Sequence, residues 1–155
     1  MKTKIKPLKL IASIIFCHLA GIIGAFFTTP SINGWYDTII KPEFNPPSWI
    51  FGPMWLTLYT IMGISLYLVL EKKAPKITLI VFGIHWVLNA TWSIVFFGMH
   101  DISLAFINII ALIIMIIATM YYFSKTSKIA TYLLIPYLLW VSFASFLNYN
   151  LLILN

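Results

Sequence analysis

Five stretches of this 155-residue chain stay apolar for about 20 residues each, and that repeated length constrains the fold more than any other feature. They cover about Leu8–Thr29, Pro47–Leu70, Ile77–Gly98, Ile102–Phe123 and Ile129–Leu152. At about 1.5 Å of rise per residue, a helix of this length crosses the hydrocarbon of a bilayer. Lipid cannot satisfy bare backbone groups, so such segments fold as helices. Only 9% of the residues are charged and 61% are apolar, whereas a soluble domain carries roughly one charged residue in four. A water-soluble fold is excluded. The expectation is an all-α membrane protein, a single bundle of five transmembrane helices over residues 1–155, with the lipid bilayer as its surroundings.

The first apolar stretch follows Lys2, Lys4 and Lys6 and holds Lys9 near its start, which resembles a signal peptide. Its 22 residues exceed the roughly 7 to 15 of a signal h-region, and no small-x-small site closes it, so it reads as a retained helix. Cys17 lies mid-helix behind Phe16, a poor setting for lipidation, and one thiol forms no internal disulfide. The lysines set the orientation. The N-terminal tail, the second connection (Glu71, Lys72, Lys73, Lys76) and the fourth (Lys125, Lys128) carry +8, while the first and third (Asp37, Lys41, Glu43, Asp101) carry −2, together the net +6. By the positive-inside rule this predicts a multi-pass membrane protein with its N-terminus cytoplasmic and its C-terminus outside. The basic balance is then a topology signal, and no nucleic-acid partner is expected.

Three connections are just long enough to join antiparallel neighbours. The first, Pro30–Pro46, has 17 residues and contains Asn33-Gly34 and Trp35-Tyr36. Two readings stand: a lid or binding loop, or an ordered interfacial segment with belt aromatics. Asn45-Pro46-Pro47 reads as a cap with prolines in the first turn of the second span. Pro53 and Pro136 each remove a helical bond, to the carbonyls of Trp49 and Tyr132, so local openings or kinks are expected there. On the first span Ser13, Cys17, Gly21 and Ala25 recur every four residues beside Ala20 and Gly24, a small-residue stripe that admits a close helix. That neighbour is either in the same chain or in a homodimer partner.

Every span is apolar around most of its circumference, so the polar and aromatic exceptions carry the information. On the third span His85, Asn89, Trp92 and Phe96 share a face; on the fifth Pro136, Trp140, Ala144 and Asn148 do; on the second Trp55 and Tyr59 are paired. Counting rise from the outer ends puts Trp55 roughly 12 Å deep, Asn89 roughly 13 Å and Trp140 roughly 18 Å. Such depth suits a cavity layer better than an interfacial belt, although an Asn89 bond between helices with the aromatics as packing explains the spacing equally well. Apart from Lys9 at the start of the first span, no Asp, Glu, Lys or Arg enters a span, which removes the apparatus of a proton-coupled pump or voltage sensor. His18 and His85 allow a bis-histidine haem arrangement, against the commoner histidine bonded across helices. No nucleophile–base pair, metal cluster or phosphate loop is visible, so no metal is expected.

Three stretches, WYDTIIKPEFNPPSWIFGPMWLTLYTIMG (Trp35–Gly63), LNATWSIVFFG (Leu88–Gly98) and LLIPYLLWVSFASFLNYNLLILN (Leu133–Asn155), resemble the translocator protein family. Its members are also called tryptophan-rich sensory proteins or peripheral-type benzodiazepine receptors. The resemblance implies a five-helix bundle that binds porphyrins such as protoporphyrin, and other flat hydrophobic small molecules, with no required cofactor. Carried over, its ligand pocket falls on Trp55, Asn89, Trp92, Trp140, Phe143 and Ala144, closed by the loop bearing Trp35 and Tyr36. Tyr149 is followed by no basic residue, so the cholesterol motif of some animal members is incomplete here. Binding, transport or sensing of a porphyrin is the leading expectation. The alternative is light- and oxygen-dependent porphyrin degradation, in which Trp55 and Trp140 would act as the catalytic indoles.

Overall fold

The computed structural model describes residues 5–155, so Lys2 and Lys4 of the basic tail lie outside the described part. Five helical spans of 26, 24, 23, 23 and 27 residues are each long and apolar enough to cross a membrane. The first is α1 (Pro7–Ile32), followed by a short α2 (Trp35–Thr38); the second is α3 (Ser48–Glu71). The third is α4 (Lys76–Ser93), which continues into a π-helical turn over Ile94–Gly98; the fourth is α5 (Ile102–Ser124). The fifth is divided into α6 (Lys128–Leu133) and α7 (Ile135–Leu154).

The prolines act differently at each position. Leu134 interrupts the fifth span, and Pro136 occupies the first turn of α7, where it has no helical bond to lose. α3 runs through Pro53 without a break, and the Pro53 carbonyl accepts Thr57 Oγ1 at 2.9 Å. Pro30 falls inside α1, so the first connection is shorter than the sequence suggests and contains a helix of its own. α3 starts at Ser48, one residue after Pro47, and Asn45 does not cap it; its side chain accepts the Tyr36 hydroxyl instead, at 3.0 Å.

Contacts close the spans into a ring: α1 packs on α3 and α4, α4 on α5, α5 on α6 and α7, and α6 back on α3. The small-residue stripe of α1 therefore has its partner in the same chain. Its buried members are Ser13, Cys17, Ala20 and Gly24, while Ala25 is exposed, because a helix of 3.6 residues per turn drifts away from a strict four-residue repeat. A Cβ on Gly63 of α3 would lie 2.5 Å from the Ile14 Cα, which shows how closely these backbones approach.

Both ends of the ring are tied. At the lysine-rich end, Lys6 and Lys9 reach Glu71 at 2.9 and 3.2 Å, and the Lys6 amide donates to the Tyr67 hydroxyl at 3.0 Å. At the opposite, loop end, the Ile40 amide donates to Asn155 Oδ1 at 2.9 Å, and Asn155 Nδ2 donates to the Ile40 carbonyl at 3.0 Å.

The core follows from the same arrangement. Leu58, Met62 and Leu66 of α3, Leu112 and Ile116 of α5, and Tyr137 and Val141 of α7 are buried together. Near the loop end, however, α1 leans onto the π-helical turn. Gly24 lies against Ser93, Gly98 against Phe27, and Ser31 Oγ donates to the Phe97 carbonyl at 2.7 Å. α3 makes its contacts with the fifth span mainly through α6 at the lysine end and touches α7 only sparsely. The bundle is thereby packed tightly at one end and held apart at the other.

Candidate functional site

The space left between α1, α3, the π-helical turn and α7 is a cavity of about 600 Å³, lined also by Tyr36 of α2. That is within the size range of small-molecule sites. Trp55 and Trp140 line it from α3 and α7, together with Trp92, Ala144 and Asn148. The rings are held by their neighbours. Trp55 stacks on Tyr59 with centroids 5.4 Å apart, and Phe51 meets Trp140 edge-on at 6.2 Å. Trp92 stacks on Phe96 at 5.0 Å, and its Nε1 donates to Asn148 Oδ1 at 3.2 Å; Asn148 Nδ2 in turn donates to the Ile102 carbonyl at 3.1 Å.

One donor is left over. Trp140 Nε1 is buried and has no partner among the described residues. A buried indole N–H normally finds an acceptor, and leaving it unpaired costs about 1 to 3 kcal/mol. Because the nitrogen is itself buried, a ligand oxygen in the chamber reaches it only if the indole turns.

Beneath the cavity runs a seam of hydrogen bonds through four helices. Tyr59 Oη of α3 donates to Asn89 Oδ1 at 2.7 Å, and Asn89 Nδ2 donates to Tyr137 Oη of α7. The Tyr137 hydroxyl also meets His85 Nε2 at 3.2 Å, and His85 Nδ1 meets Thr119 Oγ1 of α5 at 3.3 Å. His85, Thr119, Tyr137 and Asn89 are all buried. A void of about 20 Å³ separates Asn89 from the main chamber. Asn89 therefore faces this seam and not the chamber, and the polar layer inferred from depth is divided in two.

Both nitrogens of His85 are engaged and His85 does not line the chamber, whereas His18 does. The two histidines therefore do not face one space. Tyr137→Phe should remove the acceptor of Asn89 and the partner of His85 while keeping the ring. Interhelical bonds in bilayers average about 0.6 kcal/mol and reach about 1.7, so a loss of about 2 kcal/mol is expected. Unfolding of the detergent-solubilised protein checks it; a parental midpoint would mean that the seam is not stabilising.

At the loop end Tyr36 is 4% exposed, set between Phe96 and Phe97, and burial pushes its hydroxyl pKa up while the bond to Asn45 opposes the shift. Lys41 Nζ lies 4.6 Å above its ring. Trp35 does not line the cavity: it stacks on His100 at 4.4 Å and meets Phe96 edge-on. Phe143 packs against Trp140 at 5.6 Å and supports it without lining the chamber.

The sequence reading missed an entire wall. His18, Gly21, Gly24, Ala25 and Thr28 of α1 line the cavity. The small-residue stripe was the signal, and it marks a helix that leaves room as well as one that packs closely. Trp49 of α3, 74% exposed, and Leu56 were also missed. Ile22, Ala25 and Thr29 on α1 and Trp49, Gly52 and Leu56 on α3 all line the cavity and are exposed. The open side of the chamber is thus the gap between these two helices, at the depth of lipid.

Comparison with known proteins follows the same lines. The model of the TspO/MBR family matches residues 13–154. The chain is 43% identical to the tryptophan-rich protein TspO of Archaeoglobus fulgidus over 96% of this chain and 97% of that one. It is 41% identical to the protein of the same name from Chlorobaculum tepidum, over 90% of each chain. The translocator protein of Ovis aries is 35% identical over 83% of this chain and 81% of its own. With the family match spanning nearly all of α1 to α7, this five-helix membrane protein belongs to the TspO/MBR family.

Proposed function

We propose that this protein binds flat, apolar ligands of the porphyrin type in the chamber between α1, α3 and α7 and exchanges them with the bilayer through the gap between α1 and α3. The observation that carries this reading is an aromatic-walled cavity of about 600 Å³ between helices long and apolar enough to cross a membrane. The choice of a porphyrin rests on the family resemblance. Relatives named translocator protein and tryptophan-rich sensory protein fit movement or sensing of such a ligand. No charged side chain lines the chamber, so any movement is facilitated and not pumped. Titration with protoporphyrin in darkness, followed by porphyrin and tryptophan fluorescence, tests binding; no saturable change would reject it.

Degradation of the ligand in light is the second reading, favoured by four indoles, Trp49, Trp55, Trp92 and Trp140, on the walls of one chamber. Mass spectrometry of the same samples after illumination in air separates the two, since only degradation gives a product that requires the protein. The lysine asymmetry also supports a cytoplasmic N-terminus, with the Ile40–Asn155 end outside. Single cysteines at the exposed Asn33 and Lys125, in a Cys17→Ser background, should label with an impermeant reagent on intact cells at Asn33 alone. Labelling at Lys125 alone would reverse the topology.

A further inference from the structure

The residues lining the chamber include no Asp, Glu, Lys or Arg. An ionised carboxylate cannot enter such a space unpaired, because removing it from water without a counter-charge costs far more than a single contact returns. Any acid-bearing ligand must therefore arrive with a proton, or find a group that will share one. Among the lining residues the groups with proton chemistry are Tyr36, Tyr59 and His18. Both tyrosine hydroxyls are committed as donors, Tyr36 to Asn45 and Tyr59 to Asn89. That leaves His18.

The bonds around His18 fix which of its nitrogens is free. Thr60 Oγ1 has a single proton, and it goes to the Leu56 carbonyl at 2.8 Å. Toward His18 Nε2, 3.0 Å away, Thr60 can then only accept, so Nε2 carries the hydrogen and Nδ1 keeps its lone pair. No group among the described residues is bonded to Nδ1. The ring is steadied from its other side by Tyr59, edge-on with centroids 5.9 Å apart.

We propose that His18 Nδ1 is the acid-recognition subsite of the chamber: it receives the proton of a carboxylic acid arm carried by a flat apolar ligand, with Thr60 holding the imidazole in the accepting tautomer. One proton lies between Nδ1 and the carboxyl oxygen, so the pair is neutral overall wherever that proton rests, and no bare charge is buried. Thr60 is a positioning residue that acts through His18. This inference rests on the porphyrin reading, and it adds that the acid arms, as well as the flat ring, are read by the protein.

The test compares protoporphyrin with its dimethyl ester, which has the same ring and no acidic proton, by fluorescence titration in darkness. The parent should bind the acid about tenfold more tightly than the ester. His18→Phe, which keeps the aromatic contact with Tyr59, should lose that preference, the acid being weakened about tenfold more than the ester. Thr60→Val should reduce the preference with His18 still present, and Thr60→Ser should restore it. Should His18→Phe not fold, the Thr60 pair carries the test on a different helix. A parent that binds acid and ester equally, or a His18→Phe variant that keeps the parental preference, overturns the subsite while leaving porphyrin binding intact. Binding of neither compound to the parent overturns both this inference and the reading on which it rests.

Discussion

Gly63→Ala is expected to destabilise the protein by about 2 to 3 kcal/mol, whereas the same substitution at Gly83 should stabilise it by about 0.5 to 1 kcal/mol. Alanine is the better helix former, so both positions gain from the backbone term. At Gly83, in α4, the added methyl group meets nothing within 4 Å, and that gain stands alone. At Gly63 it meets the Ile14 Cα at 2.5 Å, the Ile14 amide nitrogen at 2.9 Å and Ile14 Cγ1 at 3.0 Å. Two of these are backbone atoms, which no rotamer change can move aside. α1 must shift as a body, and the shift loosens the burial of Cys17 and Ala20. Thermal unfolding of the two variants in detergent, followed by circular dichroism, gives the comparison. Midpoints that move in the same direction would mean that the approach of α1 to α3 is looser than its geometry shows.

Trp140→Ala should weaken protoporphyrin binding by about 2 kcal/mol or more, roughly thirtyfold, and Trp55→Ala by a similar amount. The two indoles contribute in different ways. Trp55 rests on Tyr59, whose hydroxyl is bonded to Asn89, so the seam beneath it fixes the plane that it offers to a ligand. Trp140 offers its ring to the chamber from α7, braced by Phe51 and Phe143. Trp140→Phe should therefore retain most of the stacking, with a smaller effect than Trp140→Ala. Fluorescence titration of folded variants in darkness measures all three. Parental affinity in both alanine variants would place the ligand outside this chamber.

The five spans were legible in the sequence because length and hydropathy are sufficient to specify a helix in lipid. What could not be read was rotation about each helix axis. Distance from the helix end says nothing of direction, and Asn89 turns toward Tyr59 and Tyr137 and away from the chamber. With apolar residues on every side, nothing in the pattern distinguishes the two directions. The π-helical turn at Ile94–Gly98 was invisible for a related reason. It adds one residue to a turn without changing composition, and it brings Phe96 and Phe97 against Tyr36. The run of α1 through Pro30 was missed because a proline this close to a helix end removes one bond of a turn that would fray in any case. Trp35 and Tyr36 are adjacent in sequence, but the single turn of α2 sends one to His100 and the other to the chamber.

The seam from Tyr59 to Thr119 has a further consequence for traffic. Its hydroxyls and amides are spent on one another, and further toward the lysine end Met62 and Leu66 are buried in one cluster with Phe82, Phe123 and Leu134. Among the described residues the chamber is consequently a blind pocket, stopped at its inner end by this packing. A molecule that arrives from the bilayer must leave by the same side, and any journey to the opposite leaflet runs along the outside of the helices, through lipid. Vesicle flux of protoporphyrin that is unchanged when α1 and α3 are cross-linked across their gap would contradict this route.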